Sequence, residues 1–152
     1  MKSLSNPQDK AELLGRIERV TPASARQWGR MTPPQMVCHL SDSFRTVMGE
    51  RPAKPVANRL GGRLVKYIAL YAPMPWPHGI KTRPEVDQEI GGTRPAEFAH
   101  DKAKLERLIE AFSRSDQNFA SYVHPKFGRM SPAHWHRWAY LHVDHHLRQF
   151  SA

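Results

Sequence analysis

Apolar residues recur at spacings of three and four along most of this chain, which is the period of helices with one buried face. Leu13, Leu14, Ile17 and Val20 form the first stripe, opened by Asn6-Pro7, a capping side chain followed by proline at the first helical position. Thr21-Pro22 then begins a short helical turn or linker ending near Trp28-Gly29. The spacing predicts a second long helix from Thr32-Pro33, with Met36, Val37, Leu40, Phe44, Val47 and Met48 in phase until Gly49 stops it. A third and shorter helix, Gly61 to about Tyr71, is apolar through Leu64, Ile68 and Tyr71. Prolines exclude regular helix from the following loop, residues 72–95. Loops of that length are usually functional or partly disordered, and this one could drape over the mouth of a site. A further helix from Pro95 to Arg114 turns Phe98, Leu105, Leu108, Ile109 and Phe112 inward, and the last begins at Ser131-Pro132 and reaches the C-terminus. No alternating strand stands out. The expected fold is therefore all-α: an antiparallel four-helix bundle around one core, with an accessory short helix and a long Pro-rich loop.

One internal echo supports the phase of two of these helices. Trp28-Gly29-Arg30-Met31-Thr32-Pro33 reads as aromatic, glycine, arginine, methionine, hydroxyl, proline, and so does Phe127-Gly128-Arg129-Met130-Ser131-Pro132. Its bland meaning is repeated cap chemistry: glycine turns the chain, the hydroxyl accepts an orphan N–H and proline takes the first helical position.

Composition narrows the partners. A chain of 152 residues with 39% apolar and 24% charged residues suits one globular domain, residues 1–152. No apolar run is long enough to span a membrane, and the N-terminal residues lack the apolar core of a secretory signal, so no membrane partner and a cytoplasmic location are expected. The lone Cys38 excludes an internal disulfide and suits a reducing compartment. The formal charge of +9 is scattered as single residues and pairs. Without a basic arm or an aromatic-interleaved signature, it reads as a solvated surface rather than a nucleic-acid site.

Candidate chemistry concentrates in LHVDHHLRQF, which holds three of the nine histidines. At about 100° per residue, His142 and His146 lie about 20° either side of Trp135 in the apolar stripe, while His145 falls about 80° away. Asp144 points to the far side, within reach of Arg148 at i+4. Two imidazoles at i and i+4 on one face can share a cation. Equally, they can be core histidines satisfied by hydrogen bonds to Gln35, Ser41 or a tyrosine. A metal site needs a further ligand, and Cys38, His39 and Asp42 lie early in the second helix. His39 flanks that helix's apolar face, a position that does not by itself prove contact with a neighbour. Cys38 reads as a small packed residue and Asp42 as a candidate orienter of His39. His78, His100, His124, His134 and His136 lack partners at ligand spacing and read as solvent or turn residues.

WGRMTPPQMVCHLSDSFRTVMG together with HPKFGRMSPAHWHRWAYLHVDHHLRQF resembles the DinB/YfiT-like superfamily, in particular a bacterial branch of DinB-like four-helix bundles without assigned function. The resemblance implies a three-histidine site for a divalent metal, commonly zinc or nickel, with His39, His142 and His146 as ligands and His145 beside them. It implies further that a small molecule is the substrate, handled by hydrolysis or by transfer of a low-molecular-weight thiol. Arg30 or Arg129 would then steer an anionic substrate, although no catalytic acid or base declares itself. Relatives often dimerise, so a homodimer is an expectation carried by the resemblance alone. A non-catalytic bundle that holds a metal or ligand is the alternative.

Overall fold

The computed structural model describes residues 1–52, 62–114 and 116–152, without the side chains of residues 62 and 63. Among these residues five α-helices dominate: α1 (Pro7–Arg19), α2 (Pro33–Val47), α3 (Gly62–Tyr71), α4 (Phe98–Phe112) and α5 (Pro132–Arg148). The predicted start of α3 at Gly61 lies outside the described residues. Residues 21–31 form a linker that opens on a turn closed by Ser24 N–H on the Thr21 carbonyl. A two-residue antiparallel pair, β1 (Val123–His124) with β2 (Gly128–Arg129), was not expected from the pattern. It is too short to leave an alternating signature.

The helix starts follow the cap chemistry. Asn6 accepts from the backbone N–H groups of Gln8 and Asp9, and Thr32 and Gln35 exchange side chain–backbone bonds in a capping box. Ser131 accepts from His134 N–H. Each such cap is worth about 1 kcal/mol. The echo is the same device used twice: Gly29 and Gly128 take φ values of 74° and 70°, and the hydroxyl and proline follow in each case.

α2 packs chiefly on α4 and α1 on α5, while α5 also touches α2 and α3. Leu13 and Ile17 from α1 meet Met36, Leu40 and Phe44 from α2, Leu105, Ile109 and Phe112 from α4, and Trp135, Val143 and Leu147 from α5. Phe112 is the hinge of an aromatic cluster, edge-on to Phe44 at 5.1 Å and to Phe119 at 5.2 Å. Cys38 is buried, and desolvation pushes its thiol up to about 12, consistent with a packing role.

α3 departs from its expected orientation. Leu64, Ile68 and Tyr71 are 66%, 53% and 39% exposed, and the residue it sends into the core is Leu70. Arg137 of α5 donates to the Leu70 carbonyl, and Trp76 of the following loop donates from Nε1 to the Ala69 carbonyl. These bonds dock the C-terminal end of the helix through its backbone, so its apolar stripe is free to face outward. No described helix is long and apolar enough to cross a membrane.

Candidate metal centre

The inward stripe of α5 carries His142 and His146 to the same place that α2 carries His39. One ring nitrogen from each lies within 4.8 Å of the other two, a grouping that can hold a metal ion. The Nε2 atoms of His39 and His142 are 3.3 Å apart. Two nitrogens at tetrahedral positions about 2.0–2.1 Å from a zinc ion would be about 3.3 Å apart, so one edge of a coordination shell is already set. His145 stands beside His146, ring centroids 5.2 Å apart, and is not in the group.

Hydrogen bonds decide which nitrogen of each ring is available. His39 Nδ1 lies 2.8 Å from the Val86 carbonyl, which can only accept, so Nδ1 carries the proton and Nε2 keeps its lone pair. The same logic reaches His146 through Gln149. The Gln149 amide nitrogen donates to the Trp28 carbonyl at 2.8 Å, which turns its oxygen toward His146 Nδ1 at 3.1 Å. That oxygen needs an N–H, so His146 Nε2 is also left bare. His142 Nδ1 is buried without a partner, while its Nε2 faces His39 Nε2. Two facing imidazole nitrogens need a proton or a cation between them. The donor set, two fixed tautomers and a third ring with an orphaned nitrogen, suits a divalent transition metal.

The electrostatics favour neutral rings. Burial lowers the pKa of His39, and lowers those of His142 and His146 well below 6.5, the last two also through repulsion from their histidine neighbours. The site therefore offers lone pairs at neutral pH without first shedding protons. The same shifts make folding pH-dependent. Above pH 6.5 neither folded nor unfolded chain protonates these groups; below it the unfolded chain takes up protons that the buried rings refuse, so stability falls. His124, lowered to about 3 by burial, and His136, lowered for the same reason, act in the same direction. The melting temperature of metal-free protein is expected to be level from pH 8 to 7 and to decline steadily from 6.5 to 5. A rise on acidification over that window would contradict the buried, neutral assignment.

Two supports for the centre were not read from the sequence. The first is Gln149, which ties His146 to the linker; its backbone carbonyl also accepts from Gln27 N–H at 2.8 Å. Gly29 makes the approach feasible, because a Cβ there would sit 2.7 Å from the Gln149 amide nitrogen. The second is a knot formed by residues 84–93. The carboxylate of Asp42, 1% exposed, accepts from Thr93 N–H at 2.6 Å, Thr93 Oγ1 at 2.8 Å, Gln88 Nε2 at 3.3 Å and Arg51 at 3.3 Å. Arg51 also donates to the Glu85 and Gly91 carbonyls. Asp42 thus holds in place the turn whose Val86 carbonyl orients His39, without touching the ring itself.

Several expectations need correction. Asp144 is buried rather than on the solvent face, pairing with Arg16 at 2.7 Å as well as with Arg148 at 2.9 Å, because α1 packs over that side of α5. Among the described residues neither Gln35, Ser41 nor a tyrosine bonds the core histidines; Gln149 bonds His146 and Val86 bonds His39, while His142 Nδ1 has no partner. Arg30 is paired with Asp87 and Glu89, whereas Arg129 donates to the Ala120 carbonyl. His136 is buried against Phe112 and Phe119 instead of facing solvent, and His134 lies edge-on to Tyr67 and Tyr71. His124 is a turn residue, its Nδ1 accepting from the backbone of Lys126 and Phe127.

The family described as "Protein of unknown function (DUF1569)" matches residues 74–152, the segment that carries His142, His146, Gln149 and the Val86 turn. No curated protein and no solved structure matches the chain.

Proposed function

We propose that this chain, a member of the DUF1569 family, is a divalent-metal-dependent enzyme acting on a small molecule by hydrolysis or thiol transfer, built on a DinB-like four-helix bundle. The observation that carries the reading is the convergence of His39, His142 and His146, with the His39–His142 nitrogens at 3.3 Å. A metal held there by three neutral imidazoles would keep its full charge and act as a Lewis acid toward water, a thiol or a carbonyl. The protein's own share is to hold the ligands. Val86 and Gln149 fix the His39 and His146 tautomers, and burial keeps all three rings unprotonated.

A purely structural metal site would close its shell with a fourth protein donor. Among the described residues the group has three donors, which favours a centre with a position for substrate over a structural one. The test is to load the metal-free protein with cobalt(II) and record its visible spectrum, then add azide. Intense absorption of a four- or five-coordinate ion that changes with azide is expected. A spectrum indifferent to azide would indicate a closed shell and a non-catalytic, metal-holding bundle.

A further inference from the structure

We infer that the centre takes a ligand bearing a flat aromatic or heteroaromatic ring, which stacks on Trp28 in the place that His78 occupies; the inference rests on the metal reading above. Rings from two loops and α5 run outward from His142 and His146 through Trp76 and His145 to Trp28 and His78. Trp76 lies 6.1 Å from His142 and 6.0 Å from His145, and His145 in turn lies 5.9 Å from Trp28 and 6.1 Å from His78. Within this collar the indole of Trp28 and the imidazole of His78 are parallel, 4.0 Å apart and inclined by 8°.

The two partners are held very differently. Trp28 is fixed through its backbone, with Gln27 and Trp28 both bonded to Gln149, the residue that also orients His146. Its side chain is half-buried yet takes no part in the apolar core. His78 is exposed, and its side chain has no hydrogen bond to another described residue; ring contacts with Trp28 and His145 are what hold it. The chain repeats this pairing elsewhere in a locked form. His124 lies flat on Phe127 at 4.4 Å, but there the imidazole caps a turn and the phenyl packs on the core. At Trp28 the platform is anchored through its backbone while its cover is held by ring contacts alone, so a ligand ring can exchange with the cover.

A parallel face on indole recognises a flat ring through stacking and buried area, which discriminates an aryl from a methyl group by about 10-fold.

The experiment compares two probes with the same metal-binding group, acetohydroxamic and benzohydroxamic acid, titrated into cobalt(II)-loaded protein and read from the visible spectrum. The wild type should bind the benzo compound about 10-fold more tightly. Trp28→Leu should lose most of that preference and Trp28→Phe should keep it. His78→Ala should tighten the benzo compound alone, because the competing ring is gone. Equal affinities in the wild type, or a preference unchanged in Trp28→Leu, would overturn the inference. If cobalt is not taken up, the metal reading itself fails. The stacking site is then judged by saturation-transfer NMR with benzamide, whose signal must depend on Trp28 for the inference to stand.

Discussion

Alanine at His39, His142 or His146 is expected to abolish stable metal binding, whereas alanine at His145 leaves it intact. Losing a group that merely orients a ligand weakens metal affinity by about 10–100-fold, and losing a ligand outright must exceed that. Each of the three variants should therefore fall by more than about 100-fold in zinc affinity, measured by competition with a chromophoric chelator. His145 supplies the internal control because it sits on the same helical turn yet outside the group. Its ring faces Trp28, Trp76 and His78. In the three ligand variants the lost imidazole leaves a cavity and, at His39 or His146, an unpaired Val86 or Gln149 oxygen, so metal is measured on each variant below its own metal-free melting temperature. Equal metal content across all four variants would remove the three-histidine assignment.

What could be read from the residues depended on whether the signal was local. Helix phase placed His142 and His146 together in the α5 stripe, because rotation per residue is fixed and the apolar positions set the reference direction. Cap chemistry located the starts of α1, α2 and α5, since hydroxyl or amide and proline act within one turn. His39 was a different case. Its place on the flank of a stripe is compatible with contact or with solvent, and the resemblance rather than the pattern nominated it. The structure brings it to 3.3 Å from His142.

The supports were invisible for a physical reason. Val86 acts through its backbone carbonyl, which every residue possesses, so no side-chain pattern can announce it. Gln149 stands three residues after His146, a spacing shared by many unremarkable glutamines. Asp144 went wrong because helix phase describes one helix, whereas α1 lays Arg16 against the side that looked free. The outward stripe of α3 fails on the same ground: amphipathicity shows that a face is apolar, not that something covers it. Gly91-Gly92 was the one legible hint of the knot. A Cβ on Gly92 would sit 2.9 Å from the Asp87 carbonyl, so a close backbone approach is needed there.

The second large effect is expected at Asp42, through both stability and metal affinity. Its carboxylate is fully enclosed and faces two donors from Thr93, one from Gln88 and the guanidinium of Arg51. Breaking a buried ion pair by removing one partner costs about 3–5 kcal/mol, because the remaining charge and donors lose their partner. Arg51 is still 21% exposed and keeps the Glu85 and Gly91 carbonyls, so Asp42→Ala belongs at the lower end, about 3 kcal/mol in urea unfolding. The consequence for the centre is separate. With the knot released, the Val86 carbonyl no longer fixes Nδ1–H on His39, and zinc affinity should fall by about 10–100-fold. Long-range ¹H–¹⁵N correlation spectra of the metal-free protein read the tautomer directly. The wild type should show His39 protonated at Nδ1, and Asp42→Ala a mixture of both forms. Asp42→Asn, which keeps an oxygen for Thr93 but loses the charge opposite Arg51, should lie between the two. If Asp42→Ala loses stability while the His39 tautomer and zinc affinity stay as in the wild type, the knot only fastens the loop. Ligand geometry would then be set by helix packing alone.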